Sequence, residues 1–502
     1  MNMQILSRQS LSAGSGTASP VSTGSLQFVG ISKLWLCFVI LVMPFSLLYG
    51  ASPSDSSAKA LSDLQLASQV ESIYKGRAQN NTHELTDDGL TPLDRQYSGT
   101  SLMKIVDQRW DNFSEDIQKR LVHYIDEPVT TGPGAPDSQE VFETEHFKVF
   151  FQTSGESAVP ERDDNNNNVP DYAENVASYL ETSWEIEVDK FGFRAPPRVN
   201  GEKIRCHLKK LNHNGLTHAK TNVAAWMEIH SDIGAYTKGI LGEDKAESIT
   251  VDPEGMEAGL LKACCAHEFL HCCQASYDWN EANWWCEATA EWAGNAVFPE
   301  SKFYTNNVSP RFDNPHVSLF SKEGWYEYAA SIWAMFLYEN YGGHETIRSI
   351  WEGCTGDTTV NEATTQVLGD LKEPFIFFAC YNYIREYADG ARYPEIKEIS
   401  LKDAGEVSSV GLNAPQYFGS NYITVSPAES GITTIEVELS NENDEADVRL
   451  ITIDGSNWNI LPHKLSFGKL VVDLGDSRPE KVVTVICSFT ESGELGYTFR
   501  AR

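Results

Sequence analysis

Residues 267–271 read His-Glu-Phe-Leu-His, two imidazoles four positions apart with a carboxylate beside the first. The stretch around them, LLKACCAHEFLHCCQASYDW, reads as a helix. On a helix, positions i and i+4 share one face, about 6 Å apart. His267 and His271 can therefore reach one zinc ion, with Glu268 aimed at its open position. That is the layout of metal-assisted hydrolysis: zinc polarises a carbonyl and activates a water, and Glu268 acts as general base, passing the proton on to the leaving group. A catalytic zinc also wants a third protein ligand. The downstream segment NWWCEATAEWAGNAV supplies Glu287 on a second amphipathic helix, followed by small residues that permit close approach. Glu291, one turn on, shares its face. Glu287 is assigned as the ligand and Glu291 as the carboxylate that receives a free ring N–H, with the reverse assignment left open. Cys264, one turn before His267, is a conceivable thiolate ligand, whereas Cys265 and Cys272 lie on a stripe facing away from the imidazoles. Tyr326 or Tyr328 is a candidate oxyanion stabiliser. His218 and His230 read as surface or core residues rather than ligands.

A second cation site is expected at 163–174, DDNNNNVPDYAE. Counting Asp163 as one, side-chain oxygens fall at three (Asn165), five (Asn167), nine (Asp171) and twelve (Glu174), with the Val169 carbonyl at seven. This is the register of an EF-hand-type Ca²⁺ loop leading into a helix. Asn168 stands at six, where glycine is usual, and asparagine tolerates the left-handed backbone needed there. A strand and loop precede it, so the expectation is a lone calcium loop, not a paired hand. The bland alternative is a solvated polar turn that caps the next helix.

The chain resembles the gluzincin class of zinc metallopeptidases, in which H-E-x-x-H is followed by a glutamate ligand on a second helix. More narrowly, it is similar to a family of secreted bacterial metallopeptidases in the pieces HEFLHCCQASYDW, WWCEATAEWAG, YAASIWAMFLYENYG and FIFFACYNYIRE. HFKVFFQTSG, DDNNNNVPDYAE and FGFRAP upstream also match. The resemblance covers about 140–502 and implies a zincin-like catalytic domain, a zinc cofactor and a polypeptide substrate. The gap from His271 to Glu287 is shorter than in many gluzincins, and the flanking cysteine pairs are not part of the general pattern.

The elements that must position these residues follow from patterning. FKVFFQTS (147–154), KIRCHLKKL (203–211), AAWMEI (224–229) and ESITVDP (247–253) read as strands, with a helix over 172–193. Beyond the H-E-x-x-H helix, helices are expected at 283–297, 326–342, 359–368 and 372–388. Sheet first and helices after indicates an α+β catalytic domain, placed at 141–410. Residues 411–502 carry short alternating strands between Gly, Asn and Asp turns, an all-β sandwich domain. Before the catalytic domain, 52–131 holds helical stretches, one opened by a Ser114 cap, and reads as a pro-segment or N-terminal subdomain. TTGPGAPDSQE makes 132–140 a linker.

With 502 residues and a formal net charge of −32, the chain fits several domains and offers no basic surface for nucleic acid. Lys33 precedes LWLCFVILVMPFSLLYGA, whose strongly apolar part falls short of the roughly 20 residues of a membrane span. Residues 1–51 are therefore expected to be a signal peptide or retained N-terminal anchor, with the rest secreted or on the cell exterior. Any membrane contact would run through that segment alone. Ten cysteines leave nine after Cys37. Their pairing is not readable from sequence, and small buried packing residues are the simpler account. The leading function is a secreted zinc endopeptidase. The competing ones are a catalytically silent extracellular binding or adhesion protein, using the sandwich and calcium loop, and a zinc hydrolase of a non-peptide bond. The intact Glu268 weighs against a silent site.

Overall fold

The computed structural model describes residues 62–75, 99–130, 132, 134–220, 223–321, 325–409, 413–463, 465–475, 478–491 and 493–502. The expected signal or anchor at 1–51 lies outside the described residues. No helix among the described residues is long and apolar enough to cross a membrane.

Three helices come first: α1 (Asp63–Lys75), α2 (Gly99–Arg109) and α3 (Glu115–Ile125). Ser114 caps α3 by accepting from the Ile117 amide, with Glu115 and Asp116 in the first turn, where carboxylates favour the positive end of the helix dipole. The three helices bury a small core of their own, including Leu66, Val70, Leu102, Val106, Ile117 and Leu121. From the rest of the chain it takes in buried Leu211 and Leu216. α2 is not among the helical stretches expected in 52–131.

A five-stranded sheet follows, built from β1 (Gln139–Glu143), β2 (Phe147–Gln152), β3 (Ile204–Lys209), β4 (Gly215–Lys220) and β5 (Ala224–His230). Its order is β1-β2-β3-β5-β4; β2, β3 and β5 run parallel, while β1 and β4 are antiparallel edges. β1 begins inside the expected linker. Between β2 and β3 lies α4 (Asp171–Trp184), which continues as a wider π-type turn over Glu185–Lys190 instead of the single α-helix expected over 172–193. The expected strand at 247–253 does not form. After α5 (Ile233–Leu241) and α6 (Glu243–Glu247) the chain runs irregularly, tied by the Thr250 hydroxyl and the Val251 amide, both donating to the Ser301 carbonyl.

Helices α7 (Met256–Gln274) and α8 (Asn283–Val297) follow, α7 lying against α4, β4 and β5 and α8 packing on α7. Both are buried on nearly every side, and their sequences are accordingly apolar or small all round. They approach closely because Gly294 has no side chain: a Cβ there would lie 3.3 Å from the Ala263 carbonyl oxygen. The later helices are α9 (Ser309–Asp313), α10 (Tyr326–Ala329), α11 (Ser331–Asn340), α12 (His344–Gly353), α13 (Val360–Leu368) and α14 (Lys372–Ile384). The helix expected over 326–342 is thus broken at Ala330, and α12 was not anticipated.

The C-terminal region is rich in strands. It comprises β6 (Ile399–Leu401), β7 (Gly405–Ser408), β8 (Ser420–Val425), the short α15 (Pro427–Ser430), β9 (Thr434–Leu439), β10 (Ala446–Asp454), β11 (Asn457–His463), β12 (Lys469–Asp473), β13 (Lys481–Ser488) and β14 (Tyr497–Ala501). Two sheets result, ordered β11-β10-β13-β8-β6 and β12-β9-β14-β7. They share a core of Ile423, Val437, Leu450, Ile486 and Phe499 among others. β6 and β7 join these sheets although they precede residue 411. The other face of the first sheet belongs to the main core: Tyr422, Ile451 and Val485 pack in one cluster with Phe375 and Phe378 of α14. The nine described cysteines are all unpaired and buried.

Candidate metal centre

His267 and His271 project from one face of α7, and Glu287 meets them from the first turns of α8. The two Nε2 atoms lie 3.1 Å apart. Glu287 Oε2 is 3.3 Å from the first and 3.5 Å from the second. Among the described residues this is the group of His, Cys, Asp or Glu side chains able to hold a metal, with ligand atoms all within 4.8 Å of one another. Cys264 is buried nearby but is not one of the three.

The outward ring nitrogens are also taken. His271 Nδ1 donates to Gln274 Oε1 at 2.8 Å, and Gln274 Nε2 in turn donates to the Cys286 carbonyl and the Thr289 hydroxyl on α8. His267 Nδ1 faces Glu291 Oε1 at 3.4 Å, while Glu291 Oε2 accepts from Asn307 at 3.1 Å. When both rings are neutral and their Nδ1 atoms serve as donors, the two Nε2 atoms turn lone pairs toward each other and toward a carboxylate oxygen. Three electron-pair donors in a buried space call for a shared cation. Their separations match the edge of a tetrahedron of zinc ligands, about 3.3 Å for bonds of roughly 2.0–2.1 Å. The residues fit the metal.

That convergence raises the cluster's affinity for any positive charge, a proton included. Burial works against a charged His267, yet hydrogen bonds with Glu287 and Glu291 hold its pKa well above the ordinary imidazole value. Burial would raise Glu287, but the His271 and His267 rings hold it well below the usual carboxylate range. Burial wins at Glu268, whose pKa is raised.

Glu268 lies between α7 and the edge strand β4. The Thr217 hydroxyl is 2.8 Å from Glu268 Oε2 and 2.9 Å from the Glu268 carbonyl oxygen. Thr100, at the start of α2, sits 3.4 Å from the same carboxylate oxygen, and its hydroxyl accepts from the Thr217 amide at 3.0 Å. Ser101 donates to Glu287 Oε1 at 3.4 Å. Strand and helix come this close only because residue 215 is glycine. A Cβ there would lie 2.8 Å from Cys264 Sγ and 2.8 Å from Glu268 Cγ, closer than atoms can stand.

A cavity of about 710 Å³ opens beside these groups. His267, Glu268 and Glu291 line it, with Leu260, Ile240 and Tyr328 among its apolar walls. Tyr328 lies against His267, ring centroids 6.1 Å apart. Tyr326 is elsewhere, with the Arg311 guanidinium over its ring. Trp325, also in the cavity wall, holds a left-handed backbone at φ 72°, costly for a bulky residue and typical of functional sites. His218 is buried against Trp226, and His230 against Tyr236, neither in the group formed by His267, His271 and Glu287. Of the residues sequence reasoning missed, Gln274 was within reach, one turn past His271 on the same helix. Thr217, Thr100 and Ser101 gave no signal, since their roles come from chain segments remote in sequence.

The 163–174 loop closes on itself. Asp163 accepts from the Asn167 and Asn168 amides at 3.2 and 2.9 Å, and Asn165 accepts from the Asn167 amide at 3.0 Å. Glu174 reaches back from α4 to accept from Asn165 and Asn167 at 2.8 and 2.7 Å. Asn168 takes the left-handed backbone, φ 66°. Positions one, three, five and twelve are thus gathered, while Asp171 faces Arg162 at 3.2 Å and accepts from the Asp164 amide. Val169 donates its amide to Asn167 Oδ1.

Fold and site together define a mixed α/β protein with a strand-rich C-terminal region and a buried His₂Glu cluster opening on a cavity. Residues 131–459 match the family of unknown function DUF6055, and the chain belongs to that family. No curated protein matches the sequence.

Proposed function

We propose that the protein is a secreted zinc-dependent peptide hydrolase with a zincin-like catalytic domain over about 141–410. The observation that carries the proposal is the convergence of His267, His271 and Glu287 within 4.8 Å, beside a cavity that Glu268 also lines. When bound, zinc supplies Lewis acidity and a nucleophile at neutral pH. The chain's own residues do the rest. Glu291 and Gln274 orient the two imidazoles through their outer nitrogens. Glu268, held by the Thr217 hydroxyl, takes a proton from water and delivers it to the leaving amine. Tyr328 is assigned to the developing oxyanion because it lines the cavity and lies against His267. The largely apolar cavity suits side chains of a polypeptide. Calcium in the 163–174 loop would brace the start of α4, and the strand-rich region forms a C-terminal sandwich domain.

The test is zinc stoichiometry of the purified chain, together with hydrolysis of casein and of a short-peptide pool by wild type and Glu268→Gln. The expected result is one zinc per chain and hydrolysis that fails in the variant. A chain without stoichiometric zinc, or a variant that hydrolyses as fast as wild type, removes the peptidase reading.

A further inference from the structure

Residues 301–307 form a strap along the cavity, which Phe303, Tyr304, Asn306 and Asn307 help to line. Its start is tied down on both sides. The Ser301 hydroxyl donates to the Gly259 carbonyl of α7 at 2.8 Å. The Ser301 carbonyl in turn accepts from the Thr250 hydroxyl at 2.7 Å and the Val251 amide at 3.2 Å. Lys302 then takes the chain through the left-handed region, φ 56°, a strained backbone that the surrounding contacts must hold in place. Its ammonium lies 2.9 Å from Asp389 Oδ2. A 3-10 turn follows over Phe303–Asn306, within which the Tyr304 hydroxyl is 2.9 Å from the same Asp389 oxygen and 2.7 Å from the Tyr393 hydroxyl. One carboxylate thus anchors the strap twice.

The other end of the strap reaches the metal centre. The Asn307 main-chain amide donates to the Tyr304 carbonyl at 2.9 Å, and its side-chain Nδ2 donates to Glu291 Oε2 at 3.1 Å. Glu291 is buried, and its other oxygen faces His267 Nδ1 at 3.4 Å. A carboxylate held through one oxygen alone can turn about its last bond, a broad and soft torsion. Held through both, it presents a fixed acceptor to the ring. A fixed acceptor sets the direction of the opposite nitrogen's lone pair and raises the ring's basicity as a ligand. The neighbouring Asn306 is a natural comparison. Its Nδ2 donates to the Ile249 and Phe303 carbonyls, at 2.7 and 2.6 Å, and so stays with the strap and its surroundings.

We infer that Asn307 is a positioning residue for His267: it acts through Glu291, from a strap that Asp389 anchors through Lys302 and Tyr304. The inference rests on the reading of His267, His271 and Glu287 as a zinc site and adds a support that lies outside the motif and its second helix. Metal affinity then depends on a neutral amide two bonds' reach from the ligand ring, and on a carboxylate that follows α14 in the chain.

The experiment is a double-mutant cycle in the full chain, read as zinc affinity by competition with a chromophoric chelator, with melts of the metal-free proteins to establish that each variant folds. Asn307→Ala is expected to weaken zinc binding about three- to fivefold, less than the loss of a direct partner of the ring. In a Glu291→Ala background the same substitution should change affinity by less than about 1.5-fold, because the group through which it acts is gone. Asp389→Asn is expected to weaken zinc about twofold and to lose that effect in the same background. Asn306→Ala should lower the melting temperature and leave zinc affinity unchanged. Wild type holding one zinc, with Asn307→Ala binding it equally well, overturns the positioning and leaves the metal reading standing. So does a loss of the same size with and without Glu291, or an Asn306→Ala loss as large as that of Asn307→Ala, since packing of the strap would then suffice. A wild-type chain that takes up no zinc overturns the metal reading, and the positioning with it.

Discussion

Glu291 is the residue on which the ligand assignment can be tested most sharply. It faces His267 Nδ1 at 3.4 Å and is itself fixed by Asn307. In Glu291→Gln the ring keeps an acceptor of the same shape but loses the carboxylate charge that strengthens the imidazole as a ligand. Outer partners of this kind are worth about 10–100-fold in metal affinity. The 3.4 Å contact is longer than the 2.8 Å bond from His271 to Gln274, which places the loss at the lower end, about tenfold or roughly 1.4 kcal/mol. Glu287→Gln, by contrast, removes one of three donors and should abolish tight binding. The assay is zinc competition against a chromophoric chelator at fixed pH, with thermal melts of the metal-free variants to establish that each folds. Unchanged affinity in Glu291→Gln would refute the orienting role. A loss larger than that of Glu287→Gln would show that the two carboxylates have been assigned the wrong way round.

Three other outcomes are expected. Calcium should raise the melting temperature, by the equivalent of about 2.7 kcal/mol at one hundred times Kd, and Asp163→Ala should remove the rise; a wild-type melt indifferent to calcium sinks the calcium loop. Glu187 sits fully buried in the π-type turn, neither carboxyl oxygen has a hydrogen-bond partner among the described residues, and burial pushes its pKa well up. Glu187→Met should therefore stabilise the fold by about 1–3 kcal/mol in urea denaturation, and an equal or lower midpoint contradicts the reasoning. Burial would raise buried Glu228, but Lys209 at 2.7 Å and then His218 hold its pKa down to about 2. A depressed carboxylate adds stability above its unfolded pKa and loses it as pH falls through the folded one. Wild type should accordingly lose about 3 kcal/mol between pH 5 and 2 that Glu228→Gln does not lose, as read from unfolding free energies across that window. Parallel pH profiles would count against it.

The parts legible in the sequence were those whose function and packing use one continuous segment. α7 and α8 carry His267, His271 and Glu287 at helical spacing and bury almost every face, so composition and motif agree. The 163–174 loop is equally local, its register set by consecutive oxygens and by the left-handed turn at Asn168. α2 failed for the opposite reason. Its polar Thr100, Ser101 and Lys104 are buried together with Leu102, Met103 and Val106, so side-chain polarity does not report how much of the helix is covered. ESITVDP imitates a strand by alternation, but Thr250 and Val251 find their partner in a single carbonyl at Ser301 instead of a neighbouring strand. β4, GLTHAK, mixes small and polar residues because one side of it meets the site. The π-type turn after Trp184 has no sequence mark at all.

The absent side chain at position 215 acts as a spacer gauge. The gap between β4 and α7 is only as wide as a glycine hydrogen, and one methyl would have to displace either the Cys264 thiol or the Glu268 side chain. Transplanting the pentapeptide onto another helix and sheet would therefore copy the donors without their clearance. What would have to travel with the motif is this void, a property of a residue that carries no functional group.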